Sequence, residues 1–127
     1  MTTTISIGID LASADAVEES LQTHGERYLA RVYTDRERRE CRSDAARLAA
    51  RFAAKEAALK ALRREDEAIP WTSIGVCTDG AGRPTLELIG PAAALARRRG
   101  VAELSVSLTH EGQFAAAVVV ANLGDRT

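Results

Sequence analysis

Arg51-Phe52-Ala53-Ala54-Lys55-Glu56-Ala57-Ala58-Leu59-Lys60 is the stretch on which the fold turns. It sits inside a run from about Ala45 to Arg64 that is rich in alanine, leucine, arginine and glutamate and contains no glycine or proline. All of these are strong helix formers, so the run predicts one long helix, with Ser43 or Asp44 placed to cap it. Helical spacing stacks Leu48, Phe52, Glu56 and Leu59 roughly on one face, so a carboxylate interrupts an apolar stripe. Burying that carboxylate requires a partner. Lys60, four residues on, is in the favourable order for one, and such a pair is worth about 0.2–0.5 kcal/mol. Taken alone, the segment is accounted for by that ordinary helix pair.

Working outward, Ile5, Ile7 and Ile9 alternate with Ser6, Gly8 and Asp10, the period of a strand with one buried face. Asp10 then ends the strand on the face opposite the isoleucines. Ser13 caps a short helix to about Leu21, and Gly25 interrupts it before a second helical piece, Glu26 to Arg31. Thr34 with Glu37 has the form of a capping box, which predicts a third short helix. Beyond the long helix, Pro70 ends any helical continuation. Ile74, Val76 and Thr78 alternate with Gly75 and Cys77, turn residues fill 79–82, and Leu86 and Leu88 lie in a returning strand, which together predict a hairpin. Pro91 opens a helix through Arg99 that Gly100 terminates. Leu104, Val106 and Leu108 alternate with Ser105, Ser107 and Thr109, leading to a turn at His110-Glu111-Gly112 and a last strand through Ala121. The fold class is α+β, without repeats or low-complexity segments, and residues 1–127 read as a single domain.

Composition narrows the function classes. With 17 basic against 18 acidic residues the net charge is -1, so there is no global electrostatic reason for nucleic-acid binding. Arg97-Arg98-Arg99 is the solvated last turn of a helix, where cations are favoured by the dipole. The longest apolar stretch, Phe114 to Ala121, is far short of a bilayer span, and the N-terminus lacks the pattern of a secretion signal, so no membrane role and a cytoplasmic location are expected. Cys41 and Cys77 have no paired spacing, which indicates free buried thiols and neither a zinc site nor a disulfide.

Chemistry enters if Asp10 and Glu56 converge. Magnesium is held by one or two carboxylates, with waters and substrate phosphates completing its octahedron, so two acidic ligands suffice for a pyrophosphate substrate. Arg51, Lys55 and Lys60 then answer the remaining phosphate charge. Against this, an aspartate at a strand end is more often a turn or cap residue, and a lone His110 at a strand end is more often solvated than functional. A functional His110 contacts phosphate or carries a proton near neutral pH.

Three segments together resemble the holo-acyl-carrier-protein synthase family of small phosphopantetheinyl transferases: Gly8-Ile9-Asp10-Leu11, Arg51 to Ala57 with Lys60, and Ser107-Leu108-Thr109-His110. Arg27-Tyr28-Leu29-Ala30-Arg31, Thr34 with Glu37, and Gly82-Arg83-Pro84 fill the intervals, so the likeness runs over nearly the whole chain. The resemblance implies an antiparallel sheet packed on a long central helix. It also implies transfer of 4'-phosphopantetheine from coenzyme A to a serine of an apo acyl or peptidyl carrier protein, with release of adenosine 3',5'-bisphosphate. Asp10 and Glu56 are then the Mg2+ ligands, Glu56 and Lys60 the catalytic pair, and Arg51, Lys55, Lys60 and His110 the coenzyme A contacts. The base that takes the serine proton is either Glu56 or a water on the metal. A homotrimer with active sites at subunit interfaces is implied by the same likeness. A non-catalytic module binding coenzyme A or a carrier protein is the alternative.

The chain departs from the family pattern twice. Ala16 stands six residues after Asp10, where the family usually has an arginine that docks an acidic carrier helix. Ala61-Leu62-Arg63-Arg64 replaces the glycine-rich loop that commonly follows the lysine. Arg27 and Arg31 remain as candidate contacts for the carrier, and the departures imply a specialised carrier from a polyketide or peptide assembly line.

Overall fold

The computed structural model describes residues 2–126. Its elements run β1 (Thr2–Ser13), α1 (Ala14–His24), α2 (Glu26–Val32), α3 (Asp35–Cys41), α4 (Ala45–Ala61), a 3-10 turn (Trp71–Ser73), β2 (Ile74–Thr78), β3 (Pro84–Leu88), α5 (Gly90–Arg98), β4 (Glu103–Glu111) and β5 (Phe114–Arg126). The caps follow the sequence. Ser13 accepts from the Ala16 amide, Thr34 and Glu37 form the capping box, and Asp44 rather than Ser43 caps α4 through the Arg47 amide.

The long helix is three residues shorter than expected, because the chain turns left-handed at Arg63, where φ is 55°. The Arg64 amide reaches back to Leu59 O and the Arg63 amide to Lys60 O, which closes α4 with a Schellman pair of bonds. Pro70 therefore follows a helix that has already ended.

Strands β1, β5 and β4 form one antiparallel sheet in that order, and β2 pairs with β3 in a second. In the first sheet Asp10 stands opposite Ala117, and Ala12 and His110 both stand opposite Ala115. α4 lies across this sheet, and Leu48, Ala49, Ala53, Ala54, Ala57, Ala58 and Leu59 are buried in one core with Ala115, Ala117, Val119 and Ala121 of β5. Small side chains on both surfaces let helix and sheet approach closely.

The approach is closest at Gly8. A Cβ there would fall 1.9 Å from Ala57 O and 2.8 Å from the Ala61 nitrogen. This reverses the expected polarity of β1. Its Ser6–Gly8 face packs on the helix, and Ile5, Ile7, Ile9 and Leu11 point outward, with Ile7 64% and Ile9 62% exposed. Asp10 does lie opposite the isoleucines, as expected, and so faces α4. A second correction concerns His110, which belongs to β4 itself, since the turn to β5 falls at Gly112-Gln113. Among the described residues, no helix is long and apolar enough to cross a membrane.

Candidate functional site

Asp10 leaves β1 toward α4, where Lys60 meets it. Lys60 Nζ lies 3.2 Å from Asp10 Oδ1 and donates to Ile9 O at 2.9 Å. Glu56 is one helical turn back on the same side of α4. The helix and β1 run past each other so that Ala61 lies at Gly8, Lys60 at Asp10, and Phe52 beside Ala12 and Ser13. Glu56 is thereby bracketed on the Asp10 side of the helix. Its Oε1 accepts from Trp71 Nε1 at 2.7 Å. Glu56 is half-buried, and the Asp10 and Lys60 side chains both reach solvent, so the cluster is open.

In kind, the two carboxylates are the oxygen donors that a hard divalent cation takes. Asp10 Oδ2 and Glu56 Oε2 take no hydrogen bond from the described residues. No third histidine, cysteine, aspartate or glutamate joins them in a metal-binding group among the described residues. An oxygen-only pair that leaves most positions to water and phosphate is the donor set Mg2+ takes.

Arg51 and His110 come together elsewhere. They line a cleft of about 370 Å³ with Arg47, Asp44, Leu108 and Thr109. Arg51 also borders a second cleft of about 450 Å³ beside Gly82, Arg83, Pro84 and Ser107. Its Nη2 is 3.7 Å from Glu40 Oε1, and its buried Nε makes no hydrogen bond among the described residues. A guanidinium that borders two open clefts suits a phosphate. This group sits at the β4 edge of the sheet, whereas Asp10 sits at the β1 edge, with β5 between them.

Lys55 does not join either group, which corrects its assignment to coenzyme A. It is 0% exposed, and its ammonium is 2.7 Å from Glu37 Oε1 while donating to the carbonyls of Trp71 and Ile74. Desolvation pushes its pKa below the ordinary lysine value, against the opposing pull of Glu37. All three of its donors are taken within the core, so none is left for substrate. Glu37 completes the arrangement by accepting from the Thr34 and Val76 amides.

Sequence reasoning missed Trp71 and the burial of Glu37. The signal for Trp71 was its being the single tryptophan of the chain, whose N–H needs an acceptor when packed inside. Glu37 was visible as a cap, but nothing local shows that a cap residue also holds a buried lysine. Cys41 and Cys77 are free and buried, as expected, and burial raises both thiols.

Ala16 lines an apolar cleft of about 300 Å³ with Leu11, Ala12, Val17, Tyr28 and Phe52. His24, Arg27, Tyr28 and Arg31 line the cleft next to it.

Residues 6–119 match the model of the 4'-phosphopantetheinyl transferase superfamily. The chain belongs to that family. It is 45% identical over 125 residues to the holo-[acyl-carrier-protein] synthase of Paramagnetospirillum magneticum, covering 91% of this chain and 94% of the relative. Among solved structures, the ACPS–CoA complex of Chronobacterium ammoniagenes superposes with a TM-score of 0.84 at 30% identity, over 96% of this chain and 99% of that one. The acyl carrier protein synthase of Mycobacterium tuberculosis does so with 0.72 at 39% identity, over 93% and 97%. The α+β fold of the family is thus this chain's fold, and the chain is an enzyme of the phosphopantetheinyl transferase type.

Proposed function

We propose that residues 1–127, as one domain, transfer the 4'-phosphopantetheine group of coenzyme A to a serine of an apo carrier protein, in a Mg2+-dependent reaction that releases adenosine 3',5'-bisphosphate. The observation that carries this reading is the open cluster in which Lys60 pairs with Asp10 while Glu56 stands one turn away on the same side of α4. Asp10 and Glu56 would hold the ion, which would supply charge neutralisation at the diphosphate.

The chain's own residues supply the rest. A serine Oγ–phosphorus bond forms as the bond from that phosphorus to the bridging oxygen of the diphosphate breaks. Lys60, on a flexible and largely exposed stem, stands where it neutralises charge gathering on the leaving phosphate. The serine proton goes either to Glu56 or to a water beside it. Arg51 and His110 bind phosphate from the β4 edge. Positioning and electrostatics account for most of the rate in such transfers.

The separation of the two groups is met by assembly. A homotrimer sets the β4 edge of one copy against the β1 edge of the next and covers the outward isoleucines. Head-to-tail contacts that close by rotation form such rings, and an apolar strand face of this kind marks an interaction site. The carrier is one of a polyketide or peptide assembly line, whose docking helix meets an apolar surface at Ala16 and cations at Arg27 and Arg31.

Incubation of the protein with coenzyme A, Mg2+ and a panel of unmodified carriers, followed by intact-mass measurement, tests this. One added phosphopantetheine, lost on chelation and in Glu56→Ala, is expected. No addition to any carrier with coenzyme A still bound would overturn the transferase reading, and fastest modification of a fatty-acid carrier would overturn the choice of partner.

A further inference from the structure

We infer that Trp71 is a positioning residue for Glu56: its indole N–H fixes one carboxylate oxygen so that the other is presented to the divalent ion. This rests on the metal-ligand role proposed for Glu56. The 2.7 Å bond from Trp71 Nε1 to Glu56 Oε1 is the sole hydrogen bond that either group makes among the described residues.

The donor is itself held from several sides. Phe52 packs against the indole at 5.8 Å between ring centroids, tilted by 49°. The Arg31 guanidinium lies 5.9 Å from the indole centroid. Behind the ring, the Trp71 carbonyl accepts from the buried Lys55 ammonium at 3.1 Å, so the 3-10 turn is tied to the Lys55–Glu37 pair in the core. The indole therefore cannot swing away without giving up its contacts with Phe52 and Arg31, and its backbone is anchored to Lys55.

The chemistry of the donor matters as much as its position. A free glutamate side chain has several rotamers to lose on binding an ion, and a fixed Oε1 removes most of that loss beforehand. An indole N–H donates and accepts nothing, so it does not compete for the ion. It is also neutral, so it orients the carboxylate without cancelling the charge that attracts the cation. Asp10 differs, since Lys60 shares its charge. Outer partners of this kind typically account for about ten- to hundredfold in metal affinity.

Because the chain has one tryptophan, two replacements are available. Trp71→Phe removes the donor and part of the ring. Replacement of Trp71 by benzothienylalanine puts sulfur where the N–H was and keeps the shape. Titration calorimetry of Mg2+ into the intact protein saturated with coenzyme A is the readout, beside coenzyme A affinity in a chelator and the thermal midpoint. Mg2+ affinity is expected to fall about ten- to hundredfold in both proteins, with metal-free coenzyme A affinity of the benzothienyl protein within about twofold of the wild type.

Unchanged Mg2+ affinity in the benzothienyl protein overturns the inference, and so does a parallel fall in coenzyme A affinity and thermal midpoint, which marks a packing role. If Trp71→Phe fails to fold, the benzothienyl protein decides alone. Absence of Mg2+ uptake by the wild type would instead remove the metal site, and this inference with it.

Discussion

Lys55 and Glu56 are neighbours in one motif, and sequence alone assigned both to phosphate chemistry. The structure separates them by burial, since α4 is enclosed nearly all round and Lys55 points into the enclosed part. Removing one partner of a buried ion pair costs about 3–5 kcal/mol, because the other is left charged without compensation. Lys55→Met is expected to lose about that much in urea unfolding, with Glu37→Gln added to it restoring part of the loss. Coenzyme A affinity of the folded fraction should stay at the wild-type value. A stable Lys55→Met protein with weakened coenzyme A binding would return Lys55 to the substrate site. Asp10, Glu56, Lys60, Arg51 and His110 were legible as candidates because their spacing in three motifs is local information. Trp71 was not, because its partner lies 15 residues away across a loop.

At the scale of elements, caps and turns were readable and strand polarity was not. A capping box or a proline is a local device, and these fixed the starts of α1, α3, α4 and α5 nearly to the residue. Period two says which side chains of β1 share a face, but not which face meets the helix. Gly8 held that answer, since a glycine inside a strand marks a close backbone approach. The loop after α4 shows a further local device. Arg63 adopts the left-handed conformation that glycine usually supplies, and Arg99 grips its carbonyl while reaching Glu67 Oε2 at 2.7 Å.

The Glu65 amide, ahead of Glu67's own amide and Arg99, holds the Glu67 carboxyl down at about 2. A depressed carboxylate contributes stability above its ordinary value of 4.5, and that contribution is lost as pH falls toward about 2. The stability difference between wild type and Glu67→Gln, read by denaturant unfolding at several pH values, should therefore shrink as pH falls from 4.5 to 2. A difference constant over that range would show that the carboxylate is not held this way.

For the whole molecule, the proposed homotrimer would cover the outward isoleucines and bring the two separated clusters together. Ile7 is already exposed in the single chain, so Ile7→Glu should change monomer stability by no more than about 0.5 kcal/mol. Its native mass, by light scattering on a sizing column, is expected to drop to that of one chain, and transfer to carrier protein to disappear with it. A trimer that survives Ile7→Glu would place the interface elsewhere. The sequence carried the candidate site residues, and their division between two sheet edges became visible only with the strand order, which depends on pairings across more than 100 residues.

That strand order also bears on how the chain is made. β5 is the middle strand of its sheet and follows every other described element along the chain. During synthesis, β1 and α4 emerge from the ribosome long before the strand that joins them to β4, and the alanine-rich surface of α4 waits uncovered meanwhile. Pairing first with last raises contact order and slows closure, so folding of this chain is completed after translation of β5 and leaves the nascent intermediate exposed to chaperones until then.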